Sequence, residues 1–350
     1  MAKRTRDEPS VETDRIAGVA HPRETHDLVG QGEALARAAR AIRRGRPPHG
    51  WLLGGPPGIG KATLAYRLAR YLLRFGATGE GPEDLFVAAN DPVSLQIKAG
   101  AHPGLMVLKR GLDDRGKLMT VLGVDEVRRL SGFFGLSSGA GGWRVAIVDT
   151  ADDMNDQAAN ALLKILEEPP SRAMLILLAD APSRLMPTIR SRCQTLALRP
   201  LADPALAAEL ETRAPALSPE DRARVALLSG GSIGAALRLI HGDGLKLAAD
   251  AERLVEQARQ PDFAATFALA ERIARLDQGP ESFGAYLGDI LAARILARAR
   301  AGDATLHRQA ELWTRLAASF GRTAALHLEP RQTIVSAARA VSALARRDPL

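Results

Sequence analysis

Residues 54–63 read Gly54-Gly55-Pro56-Pro57-Gly58-Ile59-Gly60-Lys61-Ala62-Thr63. No other stretch restricts the fold as much. The apolar run Trp51-Leu52-Leu53 before it predicts a short buried strand. Leu64, Leu68 and Leu72 after it stand at helical spacing. Strand, glycine-rich turn, lysine and helix is the setting of a phosphate-binding loop. Glycines let backbone N–H groups curl around phosphate oxygens, and the helix N-terminus adds partial positive charge. Lys61 supplies a mobile cation. One position departs from the pattern. A Ser or Thr hydroxyl normally follows the lysine and helps hold Mg²⁺, but here the residue is Ala62.

The chain around the loop alternates strands and helices. His21-Pro22 opens the ordered part, after a charged tail over residues 1–20. Gly32 to Arg46 is predicted as a basic amphipathic helix with Leu35, Ala38, Ala39 and Ile42 on one face, stopped by Pro47-Pro48. Residues 76–104 lack periodicity and read as a loop or short insertion. Leu105 to Leu108 is predicted as a strand, Val124 to Phe134 as a helix, and Ser137 to Gly142 as a turn. Arg144-Val145-Ala146-Ile147-Val148-Asp149 holds a continuous apolar run, Val145 to Val148, as expected of a central parallel strand. A helix over Asn155 to Glu168, a buried strand over Ala173 to Leu178, a short helix over Ser183 to Arg190 and a strand over Gln194 to Leu198 follow. Alternation of this kind predicts a doubly wound α/β domain with a parallel sheet over residues 21–200. Past Pro200 the strand signals fade and Ala, Leu, Arg and Glu dominate. A small helical domain over 201–242 and an all-α domain over 243–350 are expected, with loops near Gln278 to Ser282 and at Glu329-Pro330.

Composition narrows the classes. With 46% hydrophobic and 25% charged residues, a soluble globular chain is expected. Aromatics are only 4%, so aliphatic side chains must fill the cores. The net charge is +7, and seven of the 47 basic residues are Lys, the rest Arg. That suits an anionic partner such as nucleic acid, although interspersed Asp and Glu make a solvated helix face the ordinary role of any single Arg. Cys193 is the only cysteine, which excludes a disulfide framework and fits a reducing cytoplasm. The first 27 residues lack the apolar core of a signal peptide, and no run reaches membrane length.

Asp149 ends the best strand, where an aspartate of a phosphate-loop protein reaches Mg²⁺. Hydrolysing proteins of this class usually follow it with a glutamate that polarises water, but Thr150 stands there, and a hydroxyl does not take that proton as a carboxylate does. Asp152 and Asp153 are expected on a turn pointing elsewhere. Ser191-Arg192-Cys193 follows a helix, and an arginine at a domain edge can reach a phosphate on a neighbour.

Three segments together resemble the clamp-loader AAA+ family of bacteria. Gly55 to Lys61 resembles its Walker A motif. Asn160-Ala161-Leu162-Leu163-Lys164-Ile165-Leu166-Glu167-Glu168-Pro169-Pro170 is similar to its signature helix, and Pro187-Thr188-Ile189-Arg190-Ser191-Arg192-Cys193 to its arginine-finger segment. The resemblance covers roughly residues 28–240. It implies an AAA+ P-loop domain, a helical lid and a C-terminal collar that holds a hetero-oligomer together. It implies ATP or ADP at Gly55, Pro56, Gly58, Gly60, Lys61, Ala62, Thr63 and Asp149. It also implies that Arg192 serves in trans as the finger for an adjacent subunit. The partners it implies are the tau/gamma motor subunits, the delta subunit, the sliding clamp and primer–template DNA, with no membrane. Motor subunits carry a hydroxyl after the lysine, an Asp-Glu pair, a polar sensor residue and a lid arginine. This chain has Ala62, Asp149-Thr150, Ala179 and Gly234 in those places. The pattern is similar to a non-hydrolysing member, with binding possible and Mg²⁺ disfavoured. Many members carry a four-cysteine zinc module after the loop helix; residues 76–104 contain no cysteine, so no zinc is expected. Arg37, Arg40, Arg43 and Arg44 are candidates to face DNA phosphates. The alternative is an active ATPase in which Thr63 takes the Mg²⁺ role and Asp152 serves as base.

Overall fold

The computed structural model describes residues 19–111, 119, 121–135, 142–276, 278–303, 305–326 and 328–348. The expected tail over 1–20 and the turn over 137–142 fall almost wholly outside these residues. The chain divides into two compact units. The first runs to Arg213 and takes in Gly230–Ala235; the second comprises Ala214–Ser229 and everything from Ala236 onward.

The first unit is built on a parallel sheet of five strands: β1 (Gly50–Gly54), β2 (Leu105–Leu108), β3 (Arg144–Asp149), β4 (Ala173–Ala179) and β5 (Gln194–Ala197). Their spatial order is β2-β3-β4-β1-β5. Every residue of β1 and β4 is buried, because these strands lie inside the sheet and helices cover both faces. Successive side chains alternate between the faces. Trp51, Leu53, Val145, Ile147, Ile176 and Leu178 pack with helices α1 (Gly32–Arg43) and α2 (Lys61–Phe75). Leu52, Ala146, Val148, Leu175 and Leu177 point the other way. They pack with Val127 and Leu130 of α4 (Val124–Gly135) and Leu162 of α5 (Asp156–Glu167). Burial of each such Leu is worth about 1.5–3 kcal/mol.

The expected α/β class is present, with local corrections. Helix α1 ends at Arg43, not Arg46, since Gly45 adopts a left-handed φ of 77°. Ala34 is buried on its inner face, while Leu35 only packs against the core's margin. Residues 76–104 hold a helix, α3 (Pro92–Lys98), which sequence periodicity missed; the Asp91 carboxylate caps it by accepting from the Val93 N–H at 2.9 Å. The helix expected over Ser183 to Arg190 is instead one 3₁₀ turn, Pro182–Arg184, followed by α6 (Pro187–Arg192). Pro187 lacks an N–H and so begins a helix rather than continuing one.

Helix α7 (Asp203–Arg213) completes the first unit, and α8 (Pro219–Leu228) lies in the second. Helix α9 (Ile233–His241) begins in the first unit and ends in the second. The second unit continues with α10 (Gly244–Glu256), α11 (Phe263–Ala274), α12 (Gly279–Arg300), α13 (His307–Leu326) and α14 (Pro330–Ala345). A helix therefore starts at Gly279, where the sequence predicted a loop to Ser282. Leu247, Ala251, Ile273, Phe283, Leu287, Phe320, Ile334 and Val341 form its core. Gly284 of α12 lets the Phe320 ring of α13 come close; a Cβ there would meet that ring at 2.5 Å.

Candidate functional site: a phosphate loop and a remote arginine

Parallel strands bring the loops that follow them to one edge of the sheet, where α/β proteins bind ligands. Three candidate groups gather at that edge. The phosphate loop follows β1, Asp149 ends β3, and Asp180 follows β4. Strand β4 lies between the other two, with Gly54 paired to Ala179 and Asp149 paired to Leu178.

The loop has the backbone the sequence predicts. Gly55, Gly58 and Gly60 take φ values of 152°, 73° and 108°, which favour glycine. Helix α2 starts at Lys61 immediately behind them. Ala62 sits half-buried against the core, and Thr63 is half-buried in the first turn.

The lysine is engaged inside the protein. Its side chain is only 7% exposed. Lys61 Nζ donates to the Gly55 carbonyl at 2.6 Å, to the Pro56 carbonyl at 2.8 Å and to Asp180 Oδ1 at 2.5 Å. An ammonium has three donors, so none is left for a phosphate. Asp180 is itself held. The Asp152 carboxylate accepts from the Asp180 N–H at 3.3 Å and from the Ala181 N–H at 2.9 Å. Asp153 accepts from the Thr150 hydroxyl at 2.5 Å and lies 3.4 Å from the Arg110 guanidinium.

The crest of the loop meets residues 232–235. The Gly234 N–H donates to the Gly58 carbonyl at 2.9 Å, and Ser232 Oγ to the Pro57 carbonyl at 2.9 Å. A Cβ at Gly234 would stand 2.6 Å from Gly58 Cα, so this arrangement admits no side chain there, let alone an arginine. The cradle's glycines fit a phosphate, but the lysine and the crest as arranged do not fit a bound nucleotide. Among the described residues, no group of three or more His, Cys, Asp or Glu side chains could hold a metal ion. Nor is any helix among the described residues long and apolar enough to cross a membrane.

Arg192 stands elsewhere. It ends α6, just before β5, whose first residue Gln194 pairs with Trp51 near the start of β1. A Cβ on Gly50 would lie 3.3 Å from the Arg192 carbonyl and 3.1 Å from Cys193 Sγ. Arg192 is therefore at the amino edge of the sheet, opposite the phosphate loop. Its side chain is 39% exposed. Its Nη2 pairs with Glu167 Oε1 of α5 at 2.8 Å, and Nη1 donates to the Thr188 carbonyl at 3.2 Å. Burial pushes the neighbouring Cys193 thiol up to about 12. On α1, Arg37 and Arg40 are exposed, as is Arg44 just past its end, while Arg43 pairs with Glu83 at 3.0 Å.

Two residues of this geometry escaped the sequence reading. Asp180 follows an apolar strand as Asp149 does, and the same strand-end signal would have found it. Glu167 lies inside the signature helix, but nothing local ties it to Arg192.

Residues 30–202 match the family model described as DNA polymerase III, delta subunit. A DNA polymerase III subunit delta' of Pseudomonas aeruginosa is 41% identical over 212 residues, 58% of each chain. The Escherichia coli K12 subunit of that name is 36% identical over 203 residues, again 58% of each. A DNA polymerase III subunit gamma/tau of Mycobacterium tuberculosis H37Rv is 33% identical over 174 residues, 47% of this chain and 27% of that protein. The chain spans about 58% of the length of these two delta' relatives.

Proposed function

We propose that this chain, whose residues 30–202 match the model described as DNA polymerase III, delta subunit, is a non-hydrolysing, delta-prime-like AAA+ subunit of a clamp loader. It helps place a sliding clamp on primed DNA in the cytoplasm. It does so in a hetero-oligomer with gamma/tau motor subunits and a delta subunit, joined through its C-terminal helices. The arginines of α1 face DNA phosphates. Its own loop carries no hydrolysis: Ala62 offers no hydroxyl to Mg²⁺, Thr150 is no general base, and Gly234 has no cation to stabilise developing charge.

Arg192 does the chemistry on a neighbour's ATP. The observation that carries this reading is the opposite placement of the two features. Strand β1 separates Arg192 from the chain's own phosphate loop by five residues, roughly 13 Å at 3.3 Å per step. A side chain fixed at the far edge serves another subunit's phosphates. There its guanidinium would neutralise charge on the transferring phosphoryl group. Glu167 and the Thr188 carbonyl hold it ready.

The test is a reconstituted loader carrying Arg192→Ala, with clamp- and DNA-stimulated ATP turnover as readout. Turnover at the site Arg192 serves is expected to fall by about 10³–10⁵-fold. Unchanged turnover overturns the assignment. Hydrolysis by the purified chain alone, abolished by Lys61→Ala, would establish the active-ATPase alternative. No feature of the site favours that alternative, because the Asp152 carboxylate already accepts two backbone N–H groups.

A further inference from the structure

The loop keeps its phosphate-cradling backbone and its lysine, yet the lysine is saturated from within. We propose that Asp180 is the resident anion of the phosphate loop, its carboxylate standing where a phosphate oxygen would meet Lys61, and that it decides whether the loop admits a nucleoside triphosphate. This inference does not depend on the loader reading or on Arg192.

Two of the lysine's three bonds go to carbonyls of the loop itself, Gly55 and Pro56. Those leave the charge formally unbalanced. The third goes to the one carboxylate in contact, at 2.5 Å, and balances it. A ligand phosphate must take that third position, because the loop carbonyls cannot leave without unmaking the turn. The carboxylate cannot easily retreat either. Both N–H groups beside it, those of Asp180 and Ala181, are bound by Asp152, so the backbone that carries it is fixed. Rotation of the side chain toward solvent is the remaining exit, and Asp180 is 38% exposed. A triphosphate arriving at the loop therefore meets a negative charge that has to be displaced, and like charges at close range are unfavourable.

The crest contacts of Ser232 and Gly234 are a second obstacle on the same loop. The two are separable by experiment. Removing only the charge at position 180 leaves the crest as it is.

The full-length chain is titrated calorimetrically with ATP and, separately, with inorganic pyrophosphate, with and without Mg²⁺. The wild type is compared with Asp180→Asn, Asp180→Ala and each of these combined with Lys61→Ala. Asparagine retains the size and an oxygen acceptor for Lys61, so it guards against a variant that fails to fold; a thermal melt checks each protein. The expected result is that both single variants bind ATP and pyrophosphate about tenfold or more tightly than the wild type. The gain should vanish when Lys61 is also replaced. Equal affinities in wild type and both variants overturn the proposal, as does a gain that survives Lys61→Ala. Turnover in the Arg192→Ala loader is read independently, so failure of either proposal leaves the other visible.

Discussion

Cys193 shows how one residue reports its surroundings. It follows Arg192 at the amino edge of the sheet, and burial raises its thiol from an ordinary value of 9.0 to about 12. The unfolded chain gives up this proton first as pH rises. Between about pH 9 and pH 12 the unfolded state therefore binds fewer protons than the folded state, and stability falls with pH through that window. The thiolate is the reactive form, so the native thiol should react slowly with iodoacetamide at pH 8 and much faster in denaturant. Fast native labelling would contradict the burial. Arg70 shows the same effect with the opposite sign. Burial lowers it to about 10, and it remains charged at neutral pH. It spends that charge on the carbonyls of Arg23 and Thr25, tying the start of the ordered chain to α2.

At the scale of elements, β4 is the keystone of the site. It joins β1 to β3, and its end delivers Asp180 to Lys61. Leu177 is wholly buried and pairs in register with Leu52 on one side and Val148 on the other. Leu177→Ala is expected to cost about 2–5 kcal/mol in urea denaturation, because the strand cannot shift to fill the cavity. A loss below 1 kcal/mol would mean that the sheet relaxes there. The strands were legible in the sequence because parallel strands covered on both faces read as unbroken apolar runs, as Val145 to Val148 and Ala173 to Leu178 do. Long helices were legible by period and by caps such as Asn155, whose side chain accepts from the Ala158 N–H at 2.8 Å. Short elements were not. Helix α3 has seven residues, two turns at most, too few to establish a period. The phosphate loop was legible as a pattern within ten residues. Its occupant was not, since Lys61 and Asp180 are 119 positions apart, and no local pattern encodes a pair brought together by sheet order. Gly234 likewise reads as an ordinary glycine until the backbone of Gly58 is seen against it.

At the scale of the whole molecule, the second unit stands on its own core of helices, and α12 and α13 meet through Gly284 and Phe320. The chain does not simply pass from one unit to the next. It crosses after Arg213, returns after Ser229 and crosses again after Ala235. The six residues of the return, Gly230 to Ala235, are the ones that carry Ser232 and Gly234 to the loop crest. A protease site inserted between Ser229 and Gly230 tests this routing. Cleavage there gives two fragments, and each contributes to both units. The expected outcome is one particle by native size exclusion and two bands under denaturing conditions; separation of the fragments without denaturant would contradict the routing. Bead-on-a-string domains come apart at a single cut, whereas here the thread is laced. A nick in the backbone leaves each fragment stitched through both units, so this molecule is built to survive a wound that would divide a simpler one.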